Sequence, residues 1–291
     1  MTTYDFSTQK ELFEIAYAIL EDYNIEEWSF GGGTALSYCS YGHRMSYDID
    51  IFSEDYSAIG RLIENQEEIA QNLAISLHQV ESSPSGITFI LEEQGHGLKL
   101  DFLYGSSLTS TPYILRNLFG FTNIKVQTPL EIIARKLKHR EIITIRDFVD
   151  FAYCEQKDKV LTKLKSENIV DIDRFFELVE QFNSFDIEVF NQELKYLASN
   201  IFRDKSDLST IINELMIPSE IIKVAVDDSE VVAFDDFIEA YREIYEEIGS
   251  YKVYELTKDE TMKFLGKDLI TYGDVLGLKL KDIKKSKLII L

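Results

Sequence analysis

Trp28-Ser29-Phe30-Gly31-Gly32-Gly33-Thr34-Ala35-Leu36 and, shortly after it, His43-Arg44-Met45-Ser46-Tyr47-Asp48-Ile49-Asp50-Ile51-Phe52 carry the reading of this chain. Trp28–Phe30 reads as a short apolar strand entering a glycine turn, and Thr34–Tyr41 as the start of a helix. Glycines let a backbone approach phosphate closely, and a helix N-terminus adds amide donors and a favourable dipole. Ser46–Phe52 alternates, with Ile49 and Ile51 on one side and Asp48 and Asp50 on the other, the pattern of a strand with a carboxylate face. Two carboxylates on one face repel unless a cation lies between them, and magnesium suits such hard oxygen ligands. The bland alternatives are a solvated strand face and a plain turn. Asp48–Asp55 lacks the glycine and distal glutamate of an EF-hand loop, and the turn is neither a P-loop nor a G-x-G-x-x-G motif.

Outward from this segment, residues 8–23 form an apolar helical stripe after Ser7 as cap, and Tyr56–Leu73 an amphipathic helix. Ile87–Glu92 and Leu98–Tyr104 read as a hairpin around Gln94–Gly97. Leu98, Leu100 and Phe102 cover one face of its second strand, and Asp101 with Lys99 faces the other way, which makes Asp101 the third carboxylate. Pro129 opens a helix through Glu131–Arg140, and another spans Arg146–Glu155. Asp173–Phe182, Ile187–Phe202, Leu208–Leu215 and Phe234–Ile248 follow as helices. Mixed strands and helices followed by helices predict an α/β (α+β) catalytic domain over 1–156 and a mainly helical domain over 157–291. The junction is placed in Gln156–Asn168, a charged stretch read as lacking apolar anchors.

With 45% apolar residues, 19 Phe and 16 Tyr among 291 residues, the composition supports a packed core. Cys39 and Cys154 are too few for a disulfide framework and read as packing residues of a protein in a reducing cytoplasm. No signal peptide and no run of roughly 20 apolar residues is visible, so no membrane association is expected. A net charge of −21 excludes broad, non-specific binding to nucleic acid. Locally the balance reverses: Arg116, Lys125, Arg135, Lys136, Lys138, Arg140 and Arg146 face only Glu131 and Glu141, a candidate phosphate or RNA patch or a solvated helix face. Lys279–Lys287 is a second basic stretch, read as flanking a final strand. His43 is expected to hydrogen-bond the turn, and His78, His96 and His139 have no zinc-site spacing.

Taken together, Gly32-Gly33-Thr34-Ala35-Leu36, His43-Arg44-x-Ser46-x-Asp48-x-Asp50-Ile51-Phe52, the strand carboxylate Asp101, Lys136, and Arg146-Asp147-x-x-Asp150 resemble the AbiEii/AbiGii nucleotidyltransferase toxins of the DNA polymerase β-like superfamily. The resemblance covers roughly residues 30–150. It implies a polymerase β-like domain, with a mixed sheet flanked by helices, in which Gly31, Gly32, Gly33 and Thr34 hold a nucleoside triphosphate. It further implies Mg2+ or Mn2+ on Asp48, Asp50 and Asp101, phosphate contact by Lys136, shaping of the motif by Arg44 and Ser46, and a catalytic role for Asp147. The implied reaction moves a nucleoside monophosphate onto an acceptor hydroxyl, an RNA or tRNA 3′ end, in the toxin of a bacterial toxin–antitoxin or phage-defence pair with its cognate antitoxin. Transfer to a small hydroxylated molecule and an inactive nucleotide-binding module are the competing readings.

Overall fold

Strand β2 (Ile49–Ser53) is buried at Ile49, Ile51 and Ser53 and half-buried at Asp50 and Phe52, which is the expected alternation. It is central to a seven-stranded sheet in a computed structural model that describes residues 4–91, 97–197, 201–213, 215, 221–227, 252–257 and 287–290. The other strands are β1 (Trp28–Gly31), β3 (Val80–Ser83), β4 (Gly86–Ile90), β5 (Lys99–Tyr104), β6 (Tyr113–Leu118) and β7 (Phe121–Gln127), in the order β3-β4-β5-β2-β1-β7-β6. β2 runs parallel to β5, and β1 parallel to β7. The remaining pairs are antiparallel, so the sheet is mixed.

Helix α1 (Ser7–Asp22) buries Leu12, Phe13, Ala16, Ile19 and Leu20, and the Phe13 ring lies 5.2 Å from Phe30. Phe30 pairs with Ile51, so this face of the sheet is the core face. By the two-residue period of a strand, Ser29, Gly31, Asp50 and Phe52 share the opposite face. The helix start differs from expectation. Ser7 lies inside α1, and the Asp5 carboxylate accepts from its amide at 2.9 Å.

The amphipathic stretch 56–73 is two helices, α3 (Tyr56–Glu64) and α4 (Gln66–Asn72), because Asn65 leaves helical geometry at ψ 17°. Hairpin β6–β7 had no sequence signal, since β6 is exposed at its first five positions and lacks a buried alternation. β4 and β5 pair as the expected hairpin, and residues 92–96 of its turn lie outside the described residues. Helices α5 (Pro129–His139) and α6 (Ile145–Asp158) are capped by Thr128 and Thr144, each accepting from the amide three residues on. The stretch read as lacking apolar anchors forms α7 (Val160–Ser166), which buries Val160, Leu161 and Leu164. Helices α8 (Ile172–Ser184), α9 (Ile187–Tyr196) and α10 (Lys205–Asn213) follow.

Contacts divide the chain into two units, Met1–Arg174 with Gln181–Ser209, and Phe175–Glu180 with Thr210–Leu291. The second contains antiparallel strands β8 (Ile221–Asp227), β9 (Lys252–Thr257) and β10 (Lys287–Ile290), ordered β10-β8-β9. The helix read over Phe234–Ile248 and the lysines before Lys287 lie outside the described residues. No described helix is long and apolar enough to cross a membrane.

Candidate active site

The register of β2 against β5 sets Asp50 directly beside Asp101, about 4.8 Å away at the backbone. Asp48 lies one residue before β2. Thr88 on β4 is the cross-strand partner of Asp101, and its hydroxyl donates to Asp101 Oδ1. Burial raises all three carboxyls. For Asp50, with Asp101 and Asp48 adding repulsion, the rise reaches about 7. For Asp48, burial and Asp101 outweigh Arg146 and Lys99; for Asp101, burial outweighs the Thr88 bond. Among the described residues no three Asp, Glu, His or Cys side chains are already gathered closely enough to hold one metal ion.

The glycine turn touches these carboxylates. Gly31 ends β1 opposite Asp50, and a helical turn starts at Gly32. Gly32 has φ +67°, and a Cβ there would overlap the Asp50 carboxylate, so only glycine meets both conditions. A Cβ on Gly33 would come within 2.8 Å of both Arg44 Nη2 and Ser46 Oγ. Arg44 and Ser46 therefore brace the turn from beneath. The Thr34 hydroxyl is buried with no hydrogen-bond partner among the described residues. A π-helical stretch, Ala35–Tyr41, continues from Thr34. Such widened turns recur at functional sites.

Behind the turn lies a buried ionic network. Asp150, fully buried on α6, accepts from His43 Nε2 (2.6 Å), Arg44 Nε (2.6 Å), Arg44 Nη2 (2.7 Å) and Lys136 Nζ (2.6 Å). Lys136 also reaches Asp147 Oδ1 at 2.9 Å, and Arg140 reaches Asp147 Oδ2 at 2.5 Å. Burial alone would raise these carboxyls. Arg44 and Lys136 instead hold Asp150 well below the usual range, and Lys136 with Arg140 holds Asp147 at about 2. Asp147 doubles as part of the α6 cap through Thr144. Burial lowers His43, so the ring is neutral and donates from Nε2 to Asp150 while stacking on Tyr153 at 5.1 Å. His43 therefore bonds α6 rather than the turn, and Asp150, which the sequence motif contained without a role, is the residue it bonds. Its three-residue spacing from Asp147, which puts both on one face of a helix, was the available signal.

The sequence model of the family described as "Nucleotidyl transferase AbiEii toxin, Type IV TA system" matches residues 17–217. The chain belongs to this AbiEii family. It is accordingly a nucleotidyltransferase of the toxin class, with a nucleoside triphosphate as substrate and a cognate antitoxin implied. Among solved structures, a protein of H. pylori described as a candidate nucleotidyltransferase is 15% identical over 73% of this chain and 96% of that one, with a TM-score of 0.41. MenT4, a nucleotidyltransferase toxin of Mycobacterium tuberculosis H37Rv, is 13% identical over 72% of this chain and 92% of that one, with a TM-score of 0.36. No curated protein matches the chain significantly.

The basic stretch of this AbiEii-family chain is mostly neutralised within the fold. Lys125 pairs with Glu27 at 2.5 Å, Arg135 with Glu131 at 2.8 Å, Arg140 with Asp147, and Lys136 with two carboxylates. Arg135 also donates to the carbonyls of Gly105 and Ser106 and lies 4.7 Å over the Phe52 ring. Within the stretch read as a phosphate or RNA patch or a solvated helix face, Arg135 is thus neither: it is a buried clamp between α5 and the loop after β5. Lys99, Lys138 and Arg146 make no ion pair among the described residues. Lys99 and Arg146 are felt electrostatically at Asp48, so both lie near it.

Proposed function

We infer that the chain performs metal-dependent transfer of a nucleoside monophosphate to the 3′ hydroxyl of an RNA. The observation that carries this reading is the contact between Gly32 and the Asp50 carboxylate. It sets a phosphate-accepting helix N-terminus against a carboxylate cluster, which is what cleavage between the α- and β-phosphates of a triphosphate requires. In this reading the amides of Gly32 and Gly33 and the unpartnered Thr34 hydroxyl bind the departing phosphates. Asp48, Asp50 and Asp101 offer hard oxygen donors whose proton affinity is raised by burial, and at Asp48 and Asp50 also by the neighbouring carboxylates, a donor set that fits Mg2+ or Mn2+. Bound there, such ions would polarise the α-phosphate and lower the pKa of the acceptor hydroxyl. Asp150 keeps Arg44 under Gly33 and Lys136 beside Asp50, so the positive charge behind the site is fixed before substrate arrives. Asp147 tunes Lys136, whose own role towards phosphate is electrostatic through this network.

RNA is favoured as acceptor because Lys99 and Arg146, which make no ion pair among the described residues, lie near Asp48 and can meet a phosphate backbone. The second reading, a small hydroxylated acceptor, draws on the net charge of −21 and on the neutralised basic stretch. Incubation with each labelled triphosphate, Mg2+ and total RNA separates them. Labelled RNA, lost in Asp50→Asn, supports the first reading. No label in RNA with any triphosphate sinks it.

A further inference from the structure

The sheet face that carries Asp50 continues past the carboxylates into a slot of 530 Å³ that no step above uses. Ser29, Phe52, Glu54, Tyr113, Lys125 and Arg135 line it. Phe52 follows Asp50 by two residues on the same face of β2, about 7 Å along the strand. Ser29 stands in the same relation to Gly31 on β1, paired with Phe52. Along the strand axis Gly31 and Asp50 are therefore level, and the slot lies two residues further on, on the side away from Asp48.

The walls of the slot are flat. The Arg135 guanidinium lies over the Phe52 ring at 4.7 Å, and Lys125 Nζ lies 5.2 Å from the centroid of the half-exposed Tyr113 ring. Both cations are neutralised, Lys125 by Glu27 and Arg135 by Glu131. The slot thus offers planar surfaces without free positive charge, which suits a nucleobase and not a phosphate. Its polar groups accept. Glu54 receives both Ser107 bonds on Oε1, at 2.8 Å from the amide and 2.5 Å from the hydroxyl, and its Oε2 has no partner among the described residues. A carboxylate oxygen in that position reads exocyclic amino groups.

We propose that this slot binds the terminal nucleobase of the acceptor strand, stacked against Tyr113 and the Arg135–Phe52 pair and read by Glu54. The proposal rests on the nucleotidyl-transfer reading. With the departing phosphates on the turn that leaves β1 at Gly32, an in-line reaction brings the attacking hydroxyl from the opposite direction, and Ser29 and Phe52 put the slot on that side of Asp50. Adenine, cytosine and guanine present an amino group to Glu54. Uracil presents an N–H flanked by two carbonyl oxygens, which a carboxylate repels.

The test uses the full chain and four 5′-fluorescent oligoribonucleotides that differ only in the 3′-terminal base, followed by anisotropy with and without a non-hydrolysable methylene-bridged triphosphate. Oligonucleotides ending in A, C or G should bind several-fold more tightly than the one ending in U, and the triphosphate should not displace them. Tyr113→Ala should weaken all four about tenfold, a stacking loss of about 1.4 kcal/mol. Glu54→Gln should erase the discrimination against U. Tyr113 is half-exposed and Glu54 exposed, so both variants should melt like the wild type, which checks folding. Absence of binding, displacement by the triphosphate, indifference to the terminal base, or an unaltered Tyr113→Ala profile each overturns the proposal. Total RNA labelled by the wild type keeps the transfer reading intact even if the slot fails. Absence of label removes that reading whatever the oligonucleotides do.

Discussion

Asp150→Asn keeps the shape of a fully buried side chain and removes its charge, so it measures how far the network behind the site depends on one carboxylate. Asp150 accepts four hydrogen bonds, one from His43, two from Arg44 and one from Lys136. The amide nitrogen of Asn must face one of these donors, and Arg44 loses its only ion-pair partner among the described residues. Breaking a buried pair from one side costs about 3–5 kcal/mol, because the remaining charge stays desolvated. At roughly 2–4 °C per kcal/mol for a domain of this size, the melting temperature should fall by about 6–20 °C. Lys136 retains Asp147, which places the loss towards the lower end. Differential scanning fluorimetry reads the shift, and the double variant with Arg44→Met should recover part of it because no lone charge is left inside. A melting temperature within about 2 °C of the wild type would refute the argument that Asp150 is the hub, since that is under 1 kcal/mol. The acid side gives a second reading of the same network. Asp147 and Asp150 have depressed pKa values, so their contribution is complete above the ordinary carboxylate value and is lost as pH falls below it, through about 2 for Asp147.

Asp50 behaves oppositely: its raised pKa costs stability as pH climbs from the ordinary carboxylate range through about 7. In chelator the wild type should therefore lose melting temperature over that interval, Asp50→Asn should flatten the curve while abolishing transfer, and a wild-type curve rising with pH would contradict the assigned repulsion. Gly32→Ala should stop transfer and cost about 1–2 kcal/mol from the left-handed backbone alone, more with the Asp50 overlap, by chemical denaturation. Arg135→Ala should destabilise by about 1–3 kcal/mol because it leaves buried Glu131 with only its Leu108 and Thr109 donors and releases the loop carbonyls, whereas Lys138→Ala should leave the melt unchanged; equal effects would refute the clamp.

How much of this was legible in the sequence follows from how local each feature is. The carboxylate face of β2 and the glycine turn are short-range patterns, and they appear where the two-residue period and the glycine run put them. Asp101 was legible for the same reason, since its flanking Leu100 and Phe102 are both buried. Hairpin β6–β7 was not, because exposed Tyr113, Ile114 and Leu115 give no alternation. The orientation of α5 was half legible. Ile132, Ile133 and Leu137 form the expected buried stripe, yet Glu131, Arg135 and Lys136 are buried as well. Glu131 and Arg135 pair within the helix but also need the loop after β5, and Lys136 needs the two aspartates of α6; a helical stripe contains no information about those distant partners. The hub at Asp150 is the extreme case, with a sequence separation of 106 from Arg44.

That separation bears on how the molecule is made. A chain emerging from the ribosome exposes His43, Arg44 and Lys136 before the residue that neutralises them has been synthesised. Until Asp150 arrives, Arg44 has no buried counter-ion and the floor under Gly33 cannot close. The glycine turn and the Asp48–Asp50 strand are complete as sequence long before they are competent as a site, and Asp150 of α6 is the piece that sets the toxin's machinery.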